Sequence, residues 1–152
     1  MQNRLFSERF FGYFRLEGLR DTVADIDYRI STSPGLGYYF VKNATTSLRA
    51  EIGPGYIYEQ DKSGHQSYMT LRLAERFDHK ISERSKIWQS IEFLPQVDKF
   101  SNYIINGEIG LDTAINAHFS QRTYLQDTYH SEPAAGRLKN DAKLVAAIAY
   151  KF

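Results

Sequence analysis

The sequence predicts an all-β fold: an antiparallel up-and-down transmembrane β-barrel of about eight strands, forming a single domain over residues 1–152. Three observations carry the prediction. Apolar and polar residues alternate with period two through about eight segments of about 10 to 15 residues, and period 3.6 is nearly absent. Aromatic residues make up 14% of the chain, with 11 Tyr and 10 Phe, a composition suited to a pleated surface. Charges of both signs collect on one face of each segment and aliphatic or aromatic side chains on the other.

The segments lie near 5–18, 25–41, 46–59, 67–80, 85–97, 102–115, 119–130 and 141–152. The first sets Phe10, Phe14 and Leu16 against Arg15 and Glu17. The second sets Tyr28, Ile30, Leu36, Tyr38 and Phe40 against Asp27, Arg29 and Ser31. In the third, Ala50, Ile52, Tyr56 and Tyr58 oppose Glu51 and Glu59. The fourth puts Met69, Leu71, Leu73 and Phe77 opposite Arg72, Arg76 and Asp78. Glu75 lands on its apolar side, which calls for a bulge or a position near a membrane interface. Ile87, Ile91 and Phe93 of the fifth oppose Ser90 and Glu92; Tyr103, Ile105, Ile109, Leu111 and Ile115 of the sixth oppose Asn106, Glu108 and Asp112. The last segment carries Leu144, Ala146, Ile148 and Tyr150 on one face and Lys143 and Lys151 on the other. These runs exceed the five or six residues usual in soluble sheets and match what a tilted membrane-spanning strand needs.

Composition excludes several classes. With Lys+Arg 19 against Asp+Glu 18 the net charge is +1, so there is no basic footprint for nucleic acid. No cysteine is present, which removes disulfides and thiolate metal sites. The longest strongly apolar run, "LVAAIAY", is far short of the roughly 20 residues of a spanning helix. The opening "MQNRLFSERFFGYF" has no basic region leading into an apolar stretch, so no signal peptide is read there.

Alternation alone does not choose between a soluble barrel, apolar inside, and a membrane barrel, apolar outside. Termini and loops favour the second. The chain closes on "KLVAAIAYKF", with Tyr150 and Phe152 as an aromatic assembly signal of the kind borne by outer-membrane barrels. Connections sort into a short set ("KNAT", "SER", "NAH") and a longer one ("LRDTVA", "QDKSGHQ", "DKFS", "SEPAAGRLKN"), as periplasmic turns and outside loops do. Arg15, Glu17, Asp27, Arg29, Arg49, Glu51, Arg72, Arg76, Glu92, Glu108, Asp112 and Arg122 all fall on the polar face with mixed signs, the pattern of a lumen charge ladder. Pro34 and Pro54, each beside glycine, are expected at bulges that bend the wall. By parity they point outward while Gly35, Gly37, Gly53 and Gly55 point in.

The stretches "DIDYRISTSPGLGYYFVKNATTSLRAEIGPGYIYE", "LRLAERFDHKISERSKIWQSIEFLPQV" and "KNDAKLVAAIAYKF" resemble a bacterial family built on a domain of unknown function and described as salt-induced outer membrane proteins. The resemblance runs from about Leu5 to Phe152. It implies an outer-membrane location, a signal peptide and further strands upstream, so that the chain is expected to be N-terminally truncated. It also implies outer-membrane lipid and the barrel-assembly machinery as partners, and it brings no catalytic residue.

Enzymatic chemistry finds little footing. His118 and Ser120 share a face in "NAHFS", a pairing also found in lipid A deacylases, but no acid stands ready to orient the histidine. The four histidines are scattered, so no metal and no cofactor is expected. The expected function is non-enzymatic: an envelope-stress or structural barrel, or a narrow polar pore. The main alternative is a soluble lipocalin-like barrel around a hydrophobic ligand.

Overall fold

A period-two pattern rich in Tyr, Phe and Ile favours extended backbone, and long antiparallel hairpins are the shortest way to pair such runs. The computed structural model describes the backbone of residues 2–5, 8–21, 26–61, 64–116, 118–133 and 138–150, and the side chains of residues 8–18, 30–60, 64–116, 118–133 and 138–150. Among the described residues nine strands follow one another: β1 (Gln2–Leu5), β2 (Phe10–Asp21), β3 (Ile26–Lys42), β4 (Thr46–Asp61), β5 (Gly64–Lys80), β6 (Ser85–Gln96), β7 (Lys99–Ala114), β8 (Phe119–His130) and β9 (Asn140–Tyr150). They form one up-and-down sheet in sequence order, every neighbouring pair antiparallel. Eight strands are long, 11 to 17 residues. The first expected segment divides: a bend at Glu8 and Arg9 separates short β1 from β2.

The sheet is curled and sheared. Arg15 on β2 reaches Glu92 on β6 at 2.8 Å. Strands four apart in a flat sheet are about 19 Å distant, so their shared face must be concave. One ladder row runs Phe10, Tyr38, Ala50, Glu75, Ile91, Gly107, Asp127, Ala142. It begins at the first residue of β2 and arrives on β9 eight residues short of Tyr150, which ends β9 at the same rim. That stagger, about 26 Å over seven strand spacings of about 4.8 Å, corresponds to a strand tilt of roughly 40°, within the range of barrels. Among the described residues no ladder joins β9 to β1, so the expected closed barrel is here a curled sheet with two edges.

The faces have the expected sides. Leu36, Ile52, Leu73, Ile91, Ile109 and Leu125 lie exposed on the convex face. Glu51, Arg72 and Glu92 are buried on the concave one. Glu75 is indeed convex, but without a bulge: it sits in regular register between Ala50 and Ile91 and accepts a hydrogen bond from Gln89 at 3.0 Å.

The prolines correct the bulge expectation. Thr32↔Tyr56 and Leu36↔Ile52 share one register, which sets Pro34 opposite Pro54 and Gly35 opposite Gly53 with no shift between them. Register shifts occur elsewhere, at Leu19/Asp21, Ile26/Tyr28, Tyr39/Val41 and Pro95/Gln96. Pairing the prolines puts both missing N–H groups in one place. The Ser33 hydroxyl donates to the Pro54 carbonyl there at 3.1 Å. The glycines are required by close approach: a Cβ on Gly53 would lie 2.1 Å from the Pro34 carbonyl oxygen. Gly53→Ala is therefore expected to cost about 1–3 kcal/mol. Gly18→Ala, where the added methyl meets nothing within 4 Å, should cost far less when both variants are unfolded by urea titration.

Loop sorting is weaker than expected, because hydrogen-bonded pairing extends into the segments read as loops. "DKFS" lies in a turn at Val97 and Asp98 that runs directly into β7, and β4 and β5 pair out to Asp61↔Gly64. The longest interval between consecutive strands is the one from His130 of β8 to Asn140 of β9. At the opposite rim Asn43, Ser82 and Asn116 each accept two backbone N–H bonds that close their turns. Asn43 is thus a turn-closing device.

Candidate functional site: the charged concave face

The concave face carries side chains from β2 to β9 at alternate positions, and the pairing brings ions of opposite sign within reach. Arg72 of β5 is at the centre and only 4% exposed. Its Nη1 donates to Glu51 Oε2 at 2.8 Å and to the Tyr13 hydroxyl at 3.0 Å, and its Nε donates to Glu92 Oε2 at 2.5 Å. The guanidinium also stands 5.2 Å from the Tyr13 ring centroid. Each carboxylate has a second cation: Arg49 on Glu51 at 2.9 Å and Arg15 on Glu92 at 2.8 Å. Arg15 also pairs with Glu17 at 2.5 Å, and Asn106 donates to Glu92 at 3.2 Å. Burying these charges is costly, and the multiplicity of partners is what offsets it.

A second cluster lies towards the rim of the Asn43, Ser82 and Asn116 turns. Arg122 holds Asp112 through two bonds, of 2.8 and 2.7 Å, and Lys86 stands between Asp78 and Asp112 at 3.2 and 3.8 Å. Arg76 pairs with Asp78 at 3.0 Å. Trp88, buried, donates from Nε1 to Asp112 at 3.0 Å and is flanked by Arg76 and Arg122 at 4.8 and 5.3 Å. Glu108 accepts from Ser90 at 3.4 Å.

Of the twelve ladder residues, Arg15, Glu17, Arg49, Glu51, Arg72 and Glu92 thus form one network, and Arg76, Asp112 and Arg122 belong to the second. The side chains of Asp27 and Arg29 lie outside the described residues, as does Phe152. Tyr150 sits on the convex side beside Phe119, ring centroids 5.0 Å apart. The His118 ring stacks on Tyr150 at 5.9 Å, which sets it against the convex aromatics.

Reading polarity alone missed the large concave residues Phe11, Tyr13, Ile57 and Trp88. For Phe11, Tyr13 and Trp88 the signal was the glycine opposite. A Cβ on Gly37 would meet the Phe11 ring at 2.1 Å, one on Gly35 the Tyr13 hydroxyl at 2.4 Å and one on Gly110 the Trp88 ring at 2.6 Å. Asp78 and Lys86 also belong to the charge system. At the start of β7, Lys99 donates to Glu132 at 2.5 Å and holds that exposed carboxyl below its ordinary range. The contact is therefore present above the usual carboxylate pKa and is lost as pH falls.

Among the described residues no group of three His, Cys, Asp or Glu side chains could hold a metal ion. The concave face lines a cavity of about 660 Å³, with Arg15, Glu92, Asn106, Thr128 and Lys143 among its walls.

Comparison with known proteins places the chain in a family and assigns it no activity. Uncharacterized protein YdiY of Escherichia coli strain K12 is 27% identical over 100 residues, 65% of this chain. The matched part is only 38% of that relative's length. No solved structure matches. The match to the family described as "Protein of unknown function, DUF481" extends over residues 1–152, and the chain belongs to that family.

Proposed function

We propose that the chain is the wall of a bacterial outer-membrane β-barrel with a structural, non-enzymatic role in the envelope. Its convex face meets lipid and its concave face lines the lumen. The observation that carries this reading is the inverted polarity: large aliphatic side chains stand exposed while arginines and carboxylates are buried against one another. A soluble barrel binding a hydrophobic ligand has the opposite arrangement, apolar residues within and charges in water. The roughly 40° tilt and the strand lengths support the same reading. In this role β9, which ends on Tyr150 two residues before Phe152 in the sequence, is the strand that the barrel-assembly machinery engages.

Detergent dependence separates the two arrangements. The membrane wall should precipitate when diluted from micelles into plain buffer and should float with liposomes in a density gradient. A chain that stays monodisperse without detergent contradicts it.

A further inference from the structure

From the charged concave face we infer that Arg15 sets the width and ionic selectivity of a passage for small ions and small polar solutes along the barrel axis. This rests on the barrel reading given above. Most ion pairs of the concave face join the same or adjacent strands: Arg72 reaches Glu51 on β4 and Glu92 on β6, either side of its own strand. Arg15 differs, because its 2.8 Å bond to Glu92 crosses from β2 to β6. The wall beneath that crossing is unusually low. Arg15 pairs with Ser33, the constant register sets Ser33 opposite Gly55, and Gly55 pairs with Thr70. Removing the guanidinium leaves a serine, a glycine and a threonine along this row of the wall, beside the Arg72–Glu92 pair.

Two further observations connect Arg15 to a solvated passage. Its side chain lines the 660 Å³ cavity and is 28% exposed, whereas that of Arg72, on the same cavity, is 5% exposed. The buried Thr70 hydroxyl lines the same cavity and finds no hydrogen-bond partner among the described residues, so a polar occupant of the passage is what would satisfy it. Arg15 also has a lower structural burden than Arg72. Without it Glu92 keeps Arg72 and Asn106, so the wall stays neutralised while Glu17 is freed to face the passage.

Conductance in planar bilayers with a potassium chloride gradient tests this on the full chain, with insertion checked by liposome flotation. Arg15→Gln should give larger steps than wild type and raise the potassium-to-chloride permeability ratio about fivefold, the effect of one uncompensated charge in a water-filled tube. Glu92→Gln, which frees positive charge at the same place, should shift the ratio the other way. Arg15→Lys should retain the wild-type ratio. A structural disturbance alone does not produce opposite signs from the two neutralisations. Equal selectivity for all variants, or silence from protein that has inserted, overturns the passage and leaves the barrel standing. Failure of wild type to insert overturns the barrel reading itself. Should Arg15→Gln not fold, the sign of the Glu92→Gln shift decides alone.

Discussion

Replacing Arg72 by methionine should lower the unfolding free energy by about 3 kcal/mol, measured by urea titration in detergent or bilayers. Removing one member of a buried ion pair costs about 3–5 kcal/mol, chiefly because the remaining charge is stranded out of water. Here two carboxylates would lose their central cation, but Glu51 retains Arg49 and Glu92 retains Arg15. The lower end of that range is therefore expected. If stranded charge is the cause, adding Glu92→Gln to Arg72→Met should recover much of the loss, because Arg15 keeps Glu17 and Arg49 keeps Glu51. A double variant no more stable than the single one would locate the cost in packing against Tyr13 instead.

The second large effect concerns the convex face. Ile109 is 60% exposed in the middle of β7, opposite Gln89 and Leu125. On a soluble sheet an exposed Ile109→Arg change falls within about 0.5 kcal/mol of neutral. Facing the bilayer midplane, the same change costs about 2–4 kcal/mol. The two expectations are well separated, and unfolding in liposomes reads the difference directly. A matched change near the rim, Phe119→Arg, should cost less because the penalty falls towards the interface.

Much of this architecture was legible in the residues. β3 to β9 lie close to where the alternation puts them, because a period of two leaves little freedom in choosing a strand's faces once one side is strongly apolar. The inward set of Gly35, Gly37, Gly53 and Gly55 was readable for the same reason. What lay out of reach depends on curvature and register. Arg15 and Glu92 are 77 residues apart, and only the curl of the sheet makes them partners. The opposition of Pro34 to Pro54 requires the β3–β4 register, and the bulge expectation failed for lack of it. The inward Phe11, Tyr13 and Trp88 have the hydropathy of outward residues. Only their pairing with Gly37, Gly35 and Gly110 distinguishes them, and pairing is a property of the sheet. The loop sorting dissolved because β4, β5 and β7 continue pairing through polar residues that read as connections.

The absence of cysteine makes single-site labelling simple. An environment-sensitive fluorophore placed by cysteine substitution at Ile52, Ile91 and Ile109, and separately at Ser33, Thr70 and Glu108, can be challenged with brominated acyl chains in reconstituted vesicles. Strong quenching at the first three positions and little at the second three is the predicted result. Quenching confined to Ser33, Thr70 and Glu108, or absent everywhere, would contradict an apolar wall turned towards lipid.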